Sequence, residues 1–226
     1  MYTIYSDPLH RIAYATDASA YREVPQGVTF PENEQDIVYL IQEAHKRHTH
    51  LIPRAGGTSI AGQVVGNGIV VDISKHFKKI LEINAEERWA RVQPGVVLDE
   101  LNIALEPYGL FFSPETSTSN RCCIGGMFGN NSCGSHSLVY GSTRHHLLEA
   151  RGVLCDGSVE VFKTYTIREL EERFGHRFWE TDIQCHFERR HKEGKESMEC
   201  RFPECSLIKS IYTQLIRWAL DEKRFD

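Results

Sequence analysis

The sequence predicts an α+β fold, in which a small βαβ unit is followed by a part built mainly of antiparallel strand pairs with helices. Three observations predict it. Residues 27–62 read as strand, helix, strand and then a glycine-rich loop. Residues 79–93 and 147–162 each contain two strand-like runs joined by a polar turn. Apolar residues recur at helical spacing in residues 97–105 and 207–219.

The first 25 residues carry little periodicity and read as an irregular arm with one short helix. At residues 27–30, Gly-Val-Thr-Phe is a short strand that Pro31 ends. Asn33 is a good helix N-cap, and Glu34 and Asp36 place negative charge in the first turn. Ile37, Val38, Leu40, Ile41 and Ala44 continue the helical spacing, and the helix should stop near residues 46–48. Residues 51–54 form the next strand, which runs straight into the glycine loop; strands flanking such a helix are parallel with a right-handed crossover. The β-branched run at 68–73 is the strongest strand signal in the chain. Residues 79–84 and 89–93 make a hairpin across the polar turn 85–88, and Pro94-Gly95 ends it. Leu98, Leu101 and Leu105 mark an amphipathic helix over 97–105, stopped at Gly109. Residues 113–146 are rich in Ser, Thr, Asn, Gly and Cys and lack periodicity, and 147–154 and 158–162 pair across Asp156-Gly157. Beyond residue 163, a capping box at Thr166–Glu169 opens a short helix, 188–199 reads as a charged linker, and Leu207, Ile208, Ile211, Leu215, Trp218 and Ala219 stripe a final helix.

Composition bounds the function. The chain has 226 residues, 41% apolar and 25% charged, enough for a sizeable core. The net charge of −5 gives no electrostatic reason to expect nucleic acid as a partner. No run approaches the ~20 apolar residues of a membrane span, and the N-terminus lacks a signal-peptide core, so the expectation is a cytoplasmic protein. The seven cysteines contain no CxxC pair and read as reduced and structural, with no metal site expected. His45, His48 and His50 read as favourable charge at a helix C-terminus or as simply solvated, rather than as metal ligands.

Chemistry concentrates in two stretches. Arg54-Ala55-Gly56-Gly57-Thr58-Ser59-Ile60-Ala61-Gly62 leaves a strand, and its glycines let successive N–H groups form a concave nest for phosphate oxygens, with Thr58 and Ser59 adding hydroxyl donors. It is neither a Walker loop nor GxGxxG. Read alone, it is a phosphate cradle or a plain glycine-rich turn. The second stretch runs from Ser113 through Ser117, Thr118 and Gly125-Gly126 to Asn131, Gly134 and Gly141. So many neutral donors without bulk suit a long polar ligand such as a dinucleotide; the alternative is a polar surface loop with helix caps.

On Arg54–Gly62, Val92-Gln93-Pro94-Gly95-Val96, Pro114–Gly126, Asn131–Gly134, Tyr140-Gly141 and Val153–Gly157, the chain resembles the FAD-binding domain of the vanillyl-alcohol oxidase (PCMH) type, in its branch of glycolate oxidases and D-lactate dehydrogenases. The resemblance covers roughly residues 26–163. It implies a two-lobed domain, 26–92 and an incomplete 93–163, between the arm (1–25) and a helical extension (164–226). It implies that Ala55, Gly56, Gly57, Thr58 and Ser59 hold the pyrophosphate, with Arg54 orienting the loop and Gly62 also among the cofactor-binding residues. Pro94 and Gly95 would line the cleft. Pro114, Ser117, Thr118, Gly125 and Gly126 would follow the ribityl chain towards the flavin ring, and Asn131, Gly134 and Gly141 would complete the wall. Some relatives link flavin covalently to a histidine where this chain has Thr58, so the FAD expected here is non-covalent. The implied activity is oxidation of a small-molecule 2-hydroxy acid such as D-lactate or glycolate, with an unassigned electron acceptor. The resemblance also implies that the chain is an N-terminal piece of a longer flavoenzyme whose cap supplies the catalytic base and whose downstream sequence often carries an iron–sulfur region. Alternatives kept open are an FAD-binding module inactive by itself, and a thiol- or metal-based protein using Cys122, Cys123, Cys133, His136, His145 and His146. His136 and His145 are catalytic or merely structural on sequence alone.

Overall fold

A computed structural model of the chain describes residues 2–164. The chain divides into two compact units, Met1–Leu147 with Arg151–Val161, and Leu148–Ala150 with Phe162–Asp226. The second lies almost wholly outside the described residues. So do the expected helix opened by the capping box at 166–169, the charged stretch 188–199, the apolar stripe 207–219 and the cysteines 185, 200 and 205.

The first unit begins with β1 (Ile4–Tyr5), a two-residue strand, and α1 (Pro8–Ala13), whose N-cap Asp7 accepts from the His10 N–H at 3.2 Å. The sequence predicts the helix but not the strand, because two residues carry no periodicity. β2 (Gly27–Thr29) follows, and β1 pairs with it antiparallel. α2 (Glu34–Lys46) starts where expected: the Asn33 side chain accepts from the Asp36 N–H at 3.0 Å, and Asn33 Nδ2 donates back to the Asp36 carboxylate at 3.2 Å. Leu40 and Ala44 are its buried apolar face, and His48 beyond its end takes a left-handed φ of 50°. Asn33→Ala removes the cap and is expected to destabilise the fold by about 1 kcal/mol, read as a melting temperature lower by ~3 °C.

β3 (Leu51–Arg54) and β4 (Ile69–Asp72) complete a four-stranded sheet in the order β1-β2-β4-β3. β2 and β3 are parallel as the helix between them predicts, but each pairs with β4 rather than with the other. All four residues of β4 are buried, which explains the apolar run Ile69-Val70-Val71 before Asp72. Val28, Ile52 and Val70 form the core of this sheet, with Tyr14 and Phe30 packed against it.

β5 (Ile80–Asn84) and β6 (Trp89–Val92) make the expected antiparallel hairpin. α3 (Leu98–Leu105) buries Leu98, Leu101 and Leu105 on one face, and Gly109 adopts the left-handed stop with φ 66°. Val96, Leu101 and Leu105 pack against Ile80, Ile83 and Val92 in a second core, while Leu98, Cys122 and Met127 form a third.

The aperiodic segment 113–146 contains structure that its sequence does not announce: α4 (Ile124–Asn130), α5 (Ser137–Tyr140) and a 3-10 turn at Thr143–His146. Three glycines close together argue against a helix by intrinsic propensity. α4 forms because its first turn is held from outside: the Ile124 and Gly125 N–H groups donate to Val96 O and Pro94 O at 2.9 and 2.8 Å, and Met127 is buried. β7 (Glu149–Val153) and β8 (Val159–Lys163) form the last hairpin around Asp156-Gly157, where Asp156 Oδ1 accepts from the Ser158 N–H at 2.8 Å. Among the described residues no helix is long and apolar enough to cross a membrane.

Candidate functional site

β3 delivers the glycine loop to the C-terminal edge of the parallel sheet, the edge where open α/β sheets bind ligands. Gly57 sits at φ 63°, in the region that favours glycine. Its neighbour Gly56 has a different role. A Cβ there would fall on the carbonyl oxygen of Arg121, so this glycine lets the first Gly-Gly loop touch the segment leading into the second. Gly126 lies opposite Ala55, with its Cβ direction 3.5 Å from the Ala55 Cβ. The two Gly-Gly motifs, far apart in the chain, therefore meet face to face.

Beside the contact between Gly56 and Arg121 opens a cleft of about 470 Å³, lined among others by Arg54, Ala55, Gly56 and Gly95, all four of them residues that the sequence predicts for the site; Gly57, Thr58, Ser59, Pro94, Ser117, Thr118, Gly125 and Gly126 do not line it. Among the described residues, no hydrogen bond uses the N–H groups of Gly56, Gly57, Thr58 or Ser59. No described protein group satisfies these four consecutive donors, as a phosphate nest would require. The Ser59 hydroxyl departs from the role the sequence predicts for it: it donates to Gln63 Oε1 and accepts from the Ala61 and Gln63 N–H groups at 3.3 Å. It closes the loop on itself, which leaves the Ser59 N–H as the group available to a ligand.

Arg54 is half-buried and braced at its guanidinium. Its Nη1 donates to Thr16 O at 2.7 Å, and its guanidinium carbon lies 5.2 Å from the Tyr14 ring centroid. Gly95 N donates to Phe77 O at 2.7 Å and fixes the opposite wall beside Pro94. Ser117 is exposed and Thr118 half-buried, in the turn before α4, where Thr118 O accepts from the Arg121 and Cys122 N–H groups at 2.9 and 2.8 Å. Pro114 is fully buried, and Asn131, Gly134 and Gly141 serve local structure: Asn131 Oδ1 accepts from the Arg144 N–H at 3.1 Å, Gly134 N donates to Ser137 Oγ at 2.9 Å, and Gly141 caps α5. None of these four lines the cleft. Gly62, at φ 72°, lies against the Tyr21 ring at the loop's far end.

The cleft also has residues that no motif in the sequence points to, Tyr14, Asp72 and Lys78, and two, Arg121 and Cys123, that lie within the Pro114–Gly126 motif but carry no expected cofactor role. Asp72 carries a signal, being an acidic residue that closes an otherwise apolar β-branched strand. It is buried, with Oδ2 accepting from the Tyr14 hydroxyl at 2.5 Å and Oδ1 from the Ser74 N–H and hydroxyl at 2.7 and 2.6 Å. Burial, and then the bond to Asp72, push the Tyr14 phenol well above its ordinary pKa, so it remains a hydrogen-bond donor. With Asp72 so engaged, Arg54, Lys78 and Arg121 give the cleft an excess of positive charge. That donor set fits a diphosphate.

The Cys123 thiol in the cleft wall is not poised for chemistry. Burial, with Cys122 next, pushes the Cys123 thiol up to about 11, so it is protonated at neutral pH. Among the described residues no group of three or more His, Cys, Asp or Glu is placed to hold a metal ion. His136 pairs with Glu115 at 2.8 Å, and His145 Nδ1 accepts from the Ser142 N–H at 3.0 Å. His45 Nε2 donates to Cys155 O at 2.7 Å, at the C-terminal end of α2.

A family model described as an FAD binding domain matches residues 25–163. The chain is 44% identical over 182 residues to a D-2-hydroxyglutarate dehydrogenase of Haemophilus influenzae, covering 75% of this chain and 17% of that protein. It is 34% identical over 151 residues to the glycolate oxidase subunit GlcD of Bacillus subtilis, covering 66% and 32%. Among solved structures, an alkyldihydroxyacetonephosphate synthase superposes with a TM-score of 0.64 at 21% identity, covering 72% of this chain and 32% of that one, which shows a shared fold. The chain thus spans about a sixth of the length of the dehydrogenase and a third of the oxidase component.

Proposed function

The chain belongs to the FAD-binding-domain family, and from that premise we propose that the cleft beside Arg54–Ser59 grips the pyrophosphate of non-covalent FAD in an enzyme oxidising a 2-hydroxy acid. The observation that carries the reading is the run of uncommitted N–H donors, Gly56 to Ser59, which begins with Gly56 at the wall of a cleft lined by the cations Arg54, Lys78 and Arg121. The loop binds through backbone, Arg54 braces it from beneath, and Lys78 and Arg121 balance the diphosphate charge. Asp72, although it lines the cleft, has its carboxylate bonded to Tyr14 and Ser74. Bound flavin supplies the acceptor for the substrate's C2 hydrogen. The substrate class draws support from the names of the relatives, two of which are a D-2-hydroxyglutarate dehydrogenase and a glycolate oxidase component.

The test is a fluorescence titration with FAD, followed by anaerobic mixing of the full-length flavoprotein with D-2-hydroxyglutarate, D-lactate or glycolate. Saturable binding and bleaching of the flavin absorbance by one of these acids are expected. Failure to bind FAD would remove the cofactor reading, and bound flavin that none of the acids bleaches would remove the substrate class.

Covalency gives a separate prediction. With Thr58 beside the first Gly-Gly, the flavin should leave entirely on acid precipitation. Yellow colour retained in the washed pellet would contradict it.

A further inference from the structure

Residues 2–24 precede the segment that the family model matches, yet they make some of the closest contacts with the glycine loop. The Ala18 N–H donates to Gly57 O at 3.2 Å, and Thr16 O receives the Arg54 guanidinium at 2.7 Å. The Tyr14 ring lies under that guanidinium, and its hydroxyl is tied to the buried Asp72 at the end of β4. The Tyr21 ring lies against Gly62 at the far end of the loop. The arm is itself anchored, not draped: Arg11 Nε donates to Pro25 O at 2.7 Å, Glu23 N donates to Ala15 O at 2.9 Å, and Ala15 is fully buried. Ala13 and Tyr14 even form part of the cleft wall.

These contacts form a chain of supports. Asp72 fixes the Tyr14 hydroxyl, the Tyr14 ring and Thr16 O fix the Arg54 guanidinium, and Arg54 lies directly beneath Gly57, 3.0 Å from its Cβ direction at Nε. A nest binds an anion well only if its N–H groups are already turned inward, because ordering a loop on binding costs affinity. Glycines lose the most freedom on ordering, and this loop has two in succession.

We infer that the arm, residues 4–21, is a clamp that presets the glycine loop for the flavin pyrophosphate, with Tyr14 as its positioning residue. The inference rests on the cofactor reading above. Tyr14 does not itself bond to the pyrophosphate; it acts through Arg54 and Gly57. The arm is therefore a working part of the cofactor site.

The test uses the full chain with Tyr14→Phe, which keeps the ring and loses the hydroxyl, and Tyr14→Ala, which loses both. Fluorescence titration is expected to show FAD affinity weaker by about tenfold in Tyr14→Phe and about a hundredfold in Tyr14→Ala. Amide hydrogen exchange without flavin is expected to show protection lost at Ala18 in Tyr14→Ala, while Gln93, bonded to Lys79 O across the β5–β6 hairpin, exchanges as in the wild type. Adding FAD should slow exchange at residues 56–59 in the wild type and much less in Tyr14→Ala. If both variants bind FAD within twofold of the wild type, or Ala18 keeps its protection, the clamp is wrong. A wild type that takes up no FAD would overturn the cofactor reading instead, and Ala18 exchange would still decide whether Tyr14 holds the loop.

Discussion

Gly57→Val is expected to weaken FAD binding by a hundredfold or more while leaving the apolar cores folded. The residue sits at φ 63°, where a β-branched side chain is strained by about 1–3 kcal/mol. A Cβ there would also meet the Arg54 guanidinium, 2.8 Å from its carbon. The valine can be accommodated only if the loop flattens or Arg54 leaves its place over Tyr14 and its bond to Thr16 O. Either change turns the N–H groups of residues 56–59 away from one another. Losing two charge-assisted hydrogen bonds costs ~3–6 kcal/mol, which is a factor of a hundred or more in affinity. Gly57→Asn separates the two causes. Asparagine tolerates the left-handed region, so it should recover the strain but not the displacement of Arg54, and bind FAD between the valine variant and the wild type. Fluorescence titration reads the affinity, and far-ultraviolet circular dichroism checks the fold. Undiminished affinity in Gly57→Val would show that residues 56–59 do not cradle the flavin phosphates.

The loop is legible in the sequence because its requirement is local. A strand that runs into Ala-Gly-Gly-Thr-Ser must turn sharply, and the left-handed Gly57 follows from the same pattern. The elements with strong periodicity are legible for the same reason: α2 with its Asn33 cap, the all-buried β4, and α3 with its leucine face. What cannot be read is set by tertiary contacts. α4 runs through three glycines because Val96 O and Pro94 O receive its first N–H groups, and nothing within residues 124–130 announces that. β1 is two residues long and exists because β2 offers an edge. Tyr14 is 58 residues from Asp72. Its place in the site depends on how the arm folds back, not on any motif. Gly56 is legible only in part. The pattern marks it as room for a ligand, whereas the structure uses it as room for the protein's own backbone.

Gly56→Ala tests that last point and should be the most destabilising single methyl addition in the loop. The new Cβ would fall on the Arg121 carbonyl oxygen, and would lie 3.2 Å from its carbon and 3.4 Å from the Cys122 Cα. Those are backbone atoms, and they are held. The Arg121 and Cys122 N–H groups donate to Thr118 O, Cys122 O accepts from the Leu98 N–H at 3.1 Å, and the Cys122 side chain is buried with Leu98 and Met127. A flexible side chain could swing aside; this segment can yield only by drawing the two loops apart. Overpacking of that kind costs about 2–4 kcal/mol, and for a chain of this size lowers the melting temperature by ~10 °C. Because the cleft opens beside the contact between Gly56 and Arg121, FAD affinity should fall with it. Gly129→Ala in α4 is the opposite case. Its Cβ meets nothing within 4 Å, and replacing a helical glycine with alanine should raise stability by about 0.5–1 kcal/mol. Gly126→Ala makes only an ordinary 3.5 Å contact with Ala55 and should not weaken the fold. Thermal melts of the three variants read the signs directly. If Gly56→Ala melts with the wild type while Gly129→Ala gains, the two glycine loops do not meet at Arg121, and the cleft beside them is wider than the site described above requires.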